Sequence, residues 1–78
     1  MSVNGARSLA DLRPSESGCI ERIDFEDGFR DHLMLMGFLP GAIVEAGTAA
    51  PGGDPRVYRV DGTEIALRRE TALRLILG

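Results

Sequence analysis

Residues 56–67 read RVYRVDGTEIAL, and this stretch decides the fold more than any other. Tyr58 and Val60 lie two residues apart with Arg59 between them, as in a strand that has one buried face. Asp61-Gly62 then separates this segment from TEIAL, and an Asp-Gly pair between two such runs is a strong signal for a two-residue hairpin turn. The sequence therefore predicts an antiparallel hairpin of strands 56–60 and 63–67.

Further short strands are predicted on both sides of this hairpin. GCIERIDF at 18–25 alternates imperfectly, which indicates a strand with a bulge, and AIVEAGT at 42–48 reads as another strand. RRETALRLIL at 68–77 predicts a helical turn and a closing strand. The expected fold is mainly β: a small, partly open barrel of about five strands with one inserted α-helix and a short C-terminal helical turn.

The length of 78 residues corresponds to a single domain, expected to span residues 1–78 with residues 1–5 loose. Cys19 is the single cysteine, so no internal disulfide can form. No stretch approaches the roughly 20 apolar residues of a membrane span, and the N-terminus lacks the pattern of a signal peptide. We therefore expect a cytoplasmic protein without direct membrane insertion.

The inserted helix is predicted over Glu26 to Met36, with Gly37 as its stop. At 100° per residue, Phe29, Leu33 and Met36 form one narrow apolar stripe, which we expect to face the core. The residues expected to be buried across the whole fold are Ile20, Leu33, Met36, Ile43, Val60, Ile65, Leu67 and Ile76.

Two apolar residues of the helix, Met34 and Leu35, lie well off that stripe. With Phe38 and Leu39 they form a predicted exposed patch, and such patches in small proteins often mark a contact site. We therefore predict Met34, Leu35, Phe38 and Leu39 as the partner-binding residues. Two alternatives stay open: the N-terminal segment covers the patch, or the patch causes weak self-association.

The order of motifs across residues 36–77 resembles the FeoA family of bacterial ferrous iron uptake. MGFLPG is followed by a strand, then by APGGDP, a hairpin, and ALRRETALRLIL. The similarity extends to SLADLRPSESGCIERI near the start. The resemblance implies an SH3-like domain and a non-enzymatic accessory role, acting by protein contact with the membrane transporter FeoB.

The sequence departs from the family's usual pattern at several positions. His32 stands where a basic residue is usual, and Leu35 stands where an acidic one is usual, which makes the outer face of the helix more apolar. Arg56 replaces a large aliphatic residue. We expect its stem to cover the end of the barrel while its charge reaches solvent.

No catalytic, cofactor or metal site is predicted. Cys19 reads as a packed strand residue, since nothing in its spacing pairs it with the single histidine. The acidic segment DFEDGFRDH, at 24–32, spreads its carboxylates and His32 in different directions, so we expect no bound metal. The net charge of −3 disfavours binding to nucleic acid, which relies on a basic surface.

Two other functions remain open at this point. The SH3-like C-terminal domain of metal-dependent repressors of the diphtheria toxin repressor type shares the implied fold. The boundaries at Met1 and Gly78 favour a free-standing protein over that alternative. A small metal-binding chaperone is the third class, and it requires a ligand cluster that the sequence does not show.

Overall fold

A computed structural model of the chain describes residues 7–78, so the predicted loose segment at 1–5 lies outside the described residues. Six strands form one antiparallel sheet in the order β1-β6-β2-β3-β4-β5. The strands are β1 (Arg7–Ser8), β2 (Ser17–Ile23), β3 (Ile43–Ala49), β4 (Arg56–Val60), β5 (Thr63–Leu67) and β6 (Leu75–Leu77). The helices are α1 (Asp27–Leu35), α2 (Arg69–Ala72) and a 3-10 turn (Leu9–Asp11).

The mainly β architecture with an inserted helix is confirmed, with one strand more than expected. The additional strand, β1, is only two residues long and pairs with β6 at the sheet edge. Two residues are too few to show a period-2 pattern, so the sequence carried no signal for it.

The predicted bulge in β2 bends the sheet. The first half of β2 pairs with β3, its second half pairs with β6, and the register shifts between Ile20 and Arg22. A bulge increases the local twist of a strand. β2 can therefore serve both halves of the sheet and curl them around a common core.

The β4–β5 hairpin forms as the sequence predicts. Val60 pairs with Thr63, and the register continues to Arg56 opposite Leu67. Asp61 and Gly62 have φ angles of 51° and 77°. Positive φ at both central residues is the type I′ geometry, whose twist matches that of the flanking strands.

Helix α1 ends in a Schellman motif, which sends the chain back into the core. Gly37 has a φ of 107°, and its N–H donates to the Met34 carbonyl at 3.0 Å. The N–H of Phe38 donates to the Leu33 carbonyl at 3.1 Å. In this motif the residue after the glycine packs against the helix residue whose carbonyl it caps. Phe38 and Leu33 are accordingly both 0% exposed.

The core differs from the predicted one at several positions. Ile20, Leu33, Val60 and Leu67 are buried, whereas Met36, Ile65 and Ile76 are only partly buried. Ile43 was predicted to be buried and is 61% exposed, because Val44 and Ala46 supply the inward face of β3. The prediction was one residue out of phase, and such an error exchanges the two faces of a strand.

Phe29 was also wrongly assigned to the core: it is 44% exposed. Only Leu33 of the predicted stripe is fully buried, and Met36 packs against the edge of the core. The ring of Phe29 instead packs edge-on against Phe25, with centroids 4.7 Å apart. The beginning of α1 thus faces another aromatic residue rather than the sheet interior.

Two side chains of β4 hold the 3-10 turn near the N-terminus against the sheet. The Tyr58 hydroxyl donates to the Leu9 carbonyl at 3.3 Å, and the Arg56 guanidinium donates to the Leu12 carbonyl. Arg56 is partly buried, so its guanidinium contacts the 3-10 turn in addition to the solvent contact expected from the sequence. Burial raises the pKa of the Tyr58 phenol, although the nearby Arg56 partly offsets the effect.

Candidate protein-contact surface

Three large apolar side chains are exposed where α1 ends and β3 begins. Leu35 is 87% exposed, Ile43 is 61% exposed and Leu39 is 43% exposed. We call these three residues the helix-end patch. Solvent-exposed Leu and Ile side chains gain free energy when a partner removes them from water, so this patch is the candidate contact surface.

The helix-end patch retains two of the four residues that the sequence assigned to a partner surface. Leu35 and Leu39 are exposed as predicted. Phe38 is fully buried by the Schellman motif, so its placement on an exposed patch was wrong, whereas Met34 is partly buried against the core. Ile43 is exposed in their place, and the sequence reasoning missed it because of the phase error in β3.

The loop between α1 and β3 fixes the position of the helix-end patch. The N–H of Gly41 donates to the Ile20 carbonyl at 2.7 Å, and the N–H of Ala42 donates to the Leu39 carbonyl at 2.9 Å. These bonds tie the loop to itself and to β2. Leu39 and Ile43 are thereby held on a common groove of about 380 Å³.

That groove is open and mainly lined by small or apolar residues. Its lining consists of Gly37, Leu39, Ala42, Ile43, Val60 and Asp61. A neighbouring groove of about 340 Å³ contains Met34 and Pro40 beside charged groups of β2 and α1. Apolar area bordered by charges is the usual composition of a protein-contact surface.

A second surface, which combines aromatic and charged side chains, lies between the beginning of α1 and α2. We call it the aromatic groove: it has a volume of about 490 Å³ and is lined by Phe25, Glu26, Phe29, Glu70, Thr71 and Arg74. The Arg74 guanidinium lies 5.3 Å from the centroid of the Phe25 ring, and His32 stacks on Phe29 at 6.2 Å. Sequence analysis missed this surface, because Phe29 fits the helical stripe as well as it fits a pair with Phe25.

The described residues contain no cluster of side chains that could ligate a metal ion: within residues 7–78, no group of three or more His, Cys, Asp or Glu side chains could do so. The partly buried Cys19 has its Sγ 3.8 Å from the Ile20 carbonyl oxygen. Over the same residues, neither helix has the length and apolarity needed to cross a bilayer.

Comparison with known proteins identifies the family. The family model described as FeoA domain matches residues 7–77, nearly the whole chain. The chain belongs to the FeoA family. The resemblance seen in the motif order across residues 36–77 is thereby confirmed.

Solved structures and a curated relative agree with this FeoA assignment. Stenotrophomonas maltophilia FeoA, solved with zinc and described as a prokaryotic SH3 domain protein, is 28% identical with a TM-score of 0.82, over 94% of this chain and 91% of that one. Iron(II) transport protein A of Clostridium thermocellum is 32% identical with a TM-score of 0.82, over 91% and 44%. The predicted SH3-like fold is therefore confirmed.

The curated relative is much longer than this FeoA chain. It is a fusion of Fe(2+) transport protein A with the Fe(2+) transporter FeoB from Porphyromonas gingivalis strain W83, 31% identical over 67 residues. The match covers 86% of this chain and only 8% of the fusion protein. In that relative, a domain of this family and the transporter belong to one polypeptide.

A metal-dependent repressor shares the fold. Thermoplasma acidophilum IdeR has a TM-score of 0.78 at 23% identity, over 99% of this chain and 35% of that one. At that identity the likeness shows the fold alone. The shared fold accounts for the resemblance of the sequence to repressor domains.

Proposed function

We propose that this chain is a non-enzymatic accessory protein of ferrous iron uptake, which acts by contact with the FeoB transporter through the helix-end patch. The observation that carries the proposal is the exposure of Leu35, Leu39 and Ile43, the last two of which line an apolar groove. The proposed place of action is the cytoplasmic side of the membrane, on the cytoplasmic part of the transporter.

The fusion relative supports the choice of partner. A covalent connection raises the effective concentration of one domain at the other, which favours a contact that is weak between separate chains. In P. gingivalis a FeoA domain is held near FeoB in this way. For a separate chain, the contact surface itself must supply the free energy of association.

The helix-end patch can supply that free energy without a change in the fold. Leu35 makes so little contact with its own chain that it remains 87% exposed. Burying it, together with Ile43 and Leu39, gains about 25 cal/mol for each Å² of apolar area removed from water. Met34, partly buried alongside, has a flexible side chain that adapts to the shape of a partner.

Titration of the protein against the cytoplasmic domain of FeoB from the same organism tests the proposal. Leu35→Glu replaces the most exposed apolar side chain of the patch with a charge that would have to lose its water on binding, and it should weaken binding at least tenfold. The matched control is Leu73→Glu, which makes the same chemical change at a side chain that is 46% exposed at the end of α2. The control should bind like the unaltered protein.

The two variants should also melt at the temperature of the unaltered protein, because neither side chain is part of the core. Equal binding by the Leu35→Glu and Leu73→Glu variants would remove the helix-end patch from the proposal. Absence of binding by the unaltered protein would overturn the proposed contact with FeoB itself.

A further inference from the structure

The sheet has an exposed edge at strand β5. β5 is the last strand in the sheet order and pairs only with β4 on one side. An edge strand presents backbone N–H and C=O groups that can pair with another chain. Whether β5 can do so depends on which of its residues point away from β4.

The hydrogen bonds of the sheet settle that orientation. Ala46 of β3 exchanges bonds with the β2 side: its N–H donates to the Glu16 carbonyl and its carbonyl accepts from Ser15. Since successive residues of a strand bond in opposite directions, Glu45 faces β4, where its partner is Arg59. The neighbours of Arg59 in β4, Tyr58 and Val60, therefore bond toward β5.

The same alternation then applies to β5. Its residues opposite Tyr58 and Val60 are Ile65 and Thr63, and these two bond to β4. Glu64 lies between Thr63 and Ile65, and Ala66 follows Ile65. Both direct their backbone N–H and C=O groups away from β4. Among residues 7–78, nothing forms a hydrogen bond with those outward groups. Both residues are also exposed.

We propose that β5 pairs with β5 of a second copy of this chain, antiparallel and about a two-fold axis through Ile65. In this register Glu64 lies opposite Ala66 of the second copy, and each donates and accepts a backbone hydrogen bond. The two Ile65 side chains meet on the axis. Because the outward residues are symmetric about Ile65, the edge is complementary to itself.

The side chains on this edge favour a second copy as the occupant. Arg68 continues β5 in extended conformation, with φ of −69° and ψ of 151°. In the proposed register the Arg68 guanidinium is the diagonal neighbour of Glu64 in the second copy, an opposite-charge pair. The two Glu64 carboxylates are also diagonal neighbours, but each is paired within its own chain to Arg59 at 3.1 Å.

The apolar face of the paired strands also supports this register. Ile65 is partly buried and packs against the core, so the approach of a second Ile65 extends an existing apolar cluster. The small Ala66 leaves room for the stem of Glu64 opposite it. No charge enters the core in this arrangement, because Glu64, Ala66 and Arg68 share the solvent face.

Ala66→Pro tests the pairing without breaking the hairpin. Proline removes the outward N–H of Ala66, which β4 does not use, and proline is tolerated at such edge positions. Ala66→Ser is the matched control, because it keeps the N–H. Sedimentation over a range of concentrations should show a dimer for the unaltered protein and for Ala66→Ser, and loss of the dimer for Ala66→Pro with the monomer still folded.

Amide hydrogen exchange locates the contact. The amides of Glu64 and Ala66 should be unprotected in dilute protein and become protected as the concentration rises, whereas the amide of Ile65 should be protected throughout. Arg68→Glu should weaken the dimer, because it places two carboxylates together. A monomer at all concentrations, or a dimer that survives Ala66→Pro and is lost in Leu35→Glu, would overturn the proposal.

Discussion

At the scale of single residues, Gly37 and Phe38 decide which side chains remain available to a partner. Positive φ at Gly37 reverses the chain, and Phe38 then caps Leu33 and fills the core. The reversal leaves Leu35 and Leu39, on either side of the turn, in solvent. One glycine therefore separates the apolar run LMLMGFL, at 33–39, into side chains that pack in the core and side chains that face solvent.

Phe38→Ala should show this division in the free energy of unfolding. Removing a fully buried phenylalanine costs about 3–5 kcal/mol through lost burial and the cavity it leaves. Leu35→Ala, three residues away, should change stability by no more than about 0.5 kcal/mol, because the side chain is exposed. Urea unfolding of both variants measures the contrast. Similar costs for the two would contradict the assignment of Phe38 to the core and Leu35 to the surface.

At the scale of secondary-structure elements, the sequence predicted those with local signals. The Asp61-Gly62 turn placed the β4–β5 hairpin to the residue, and Gly37 placed the end of α1 to within one residue. The phase of β3 was predicted wrongly because AIVEAGT contains apolar residues on both faces. The burial of Phe38 had a readable signal, since an apolar residue after a C-terminal helix glycine commonly packs back on the helix.

Long-range contacts had no such signal. No local pattern in the sequence predicts that the 3-10 turn at Leu9–Asp11 packs against β4. In the structure, the Tyr58 hydroxyl and the Arg56 guanidinium of β4 donate to the Leu9 and Leu12 carbonyls. In the same way, the Asp54 carboxylate accepts from the N–H of Arg69 at 2.9 Å, at the start of α2, fifteen residues along the chain. Contacts of this kind depend on where the sheet places distant segments.

The contact between β4 and the 3-10 turn predicts how stability depends on alkaline pH. Burial raises the pKa of Tyr58 above its ordinary value of 10.0, so the folded state retains the phenolic proton more tightly than the unfolded chain does. The resulting stabilisation is complete below pH 10 and is lost as pH rises through the elevated pKa. The slope cannot exceed about 1.4 kcal/mol per pH unit, because one proton is involved.

Tyr58→Phe is the control, and the amino-acid composition limits the number of other side chains that titrate near pH 10. All nine basic residues are arginines, so no lysine titrates in this range, and Tyr58 is the single tyrosine. Unfolding of the unaltered protein should become easier above about pH 10, while the variant, less stable by about 0.5–1.5 kcal/mol at neutral pH, should show no such decline. Equal pH dependence in both proteins would exclude Tyr58 as the cause.

At the scale of the whole molecule, the described residues build one hydrophobic core around which three surfaces differ in chemistry. The helix-end patch is aliphatic, the aromatic groove combines rings with Arg74, and the β5 edge offers backbone groups. These surfaces can serve different contacts at the same time, since they belong to different elements. The proposed roles assign FeoB to the first and a second copy of the chain to the third.

The whole molecule is also expected to carry no tightly bound metal. Its acidic segment exposes Asp24, Glu26, Asp31 and His32, and Asp27 pairs with Arg30 at 2.9 Å. Scattered and solvated ligands do not hold a metal ion firmly, because other groups do not orient them. Elemental analysis after anaerobic purification with ferrous iron should find no stoichiometric metal. One iron or zinc per chain, lost in Asp31→Ala or His32→Ala, would contradict this expectation.

The central claim is that the helix-end patch binds the transporter, and nuclear magnetic resonance of the isotope-labelled protein tests it most directly. On addition of the unlabelled cytoplasmic domain of FeoB, the signals of Leu35, Leu39 and Ile43 should shift or broaden, while those of Phe29 and Arg74 in the aromatic groove stay unchanged. Changes confined to the aromatic groove or to β5, or no changes at saturating FeoB domain, would contradict the account.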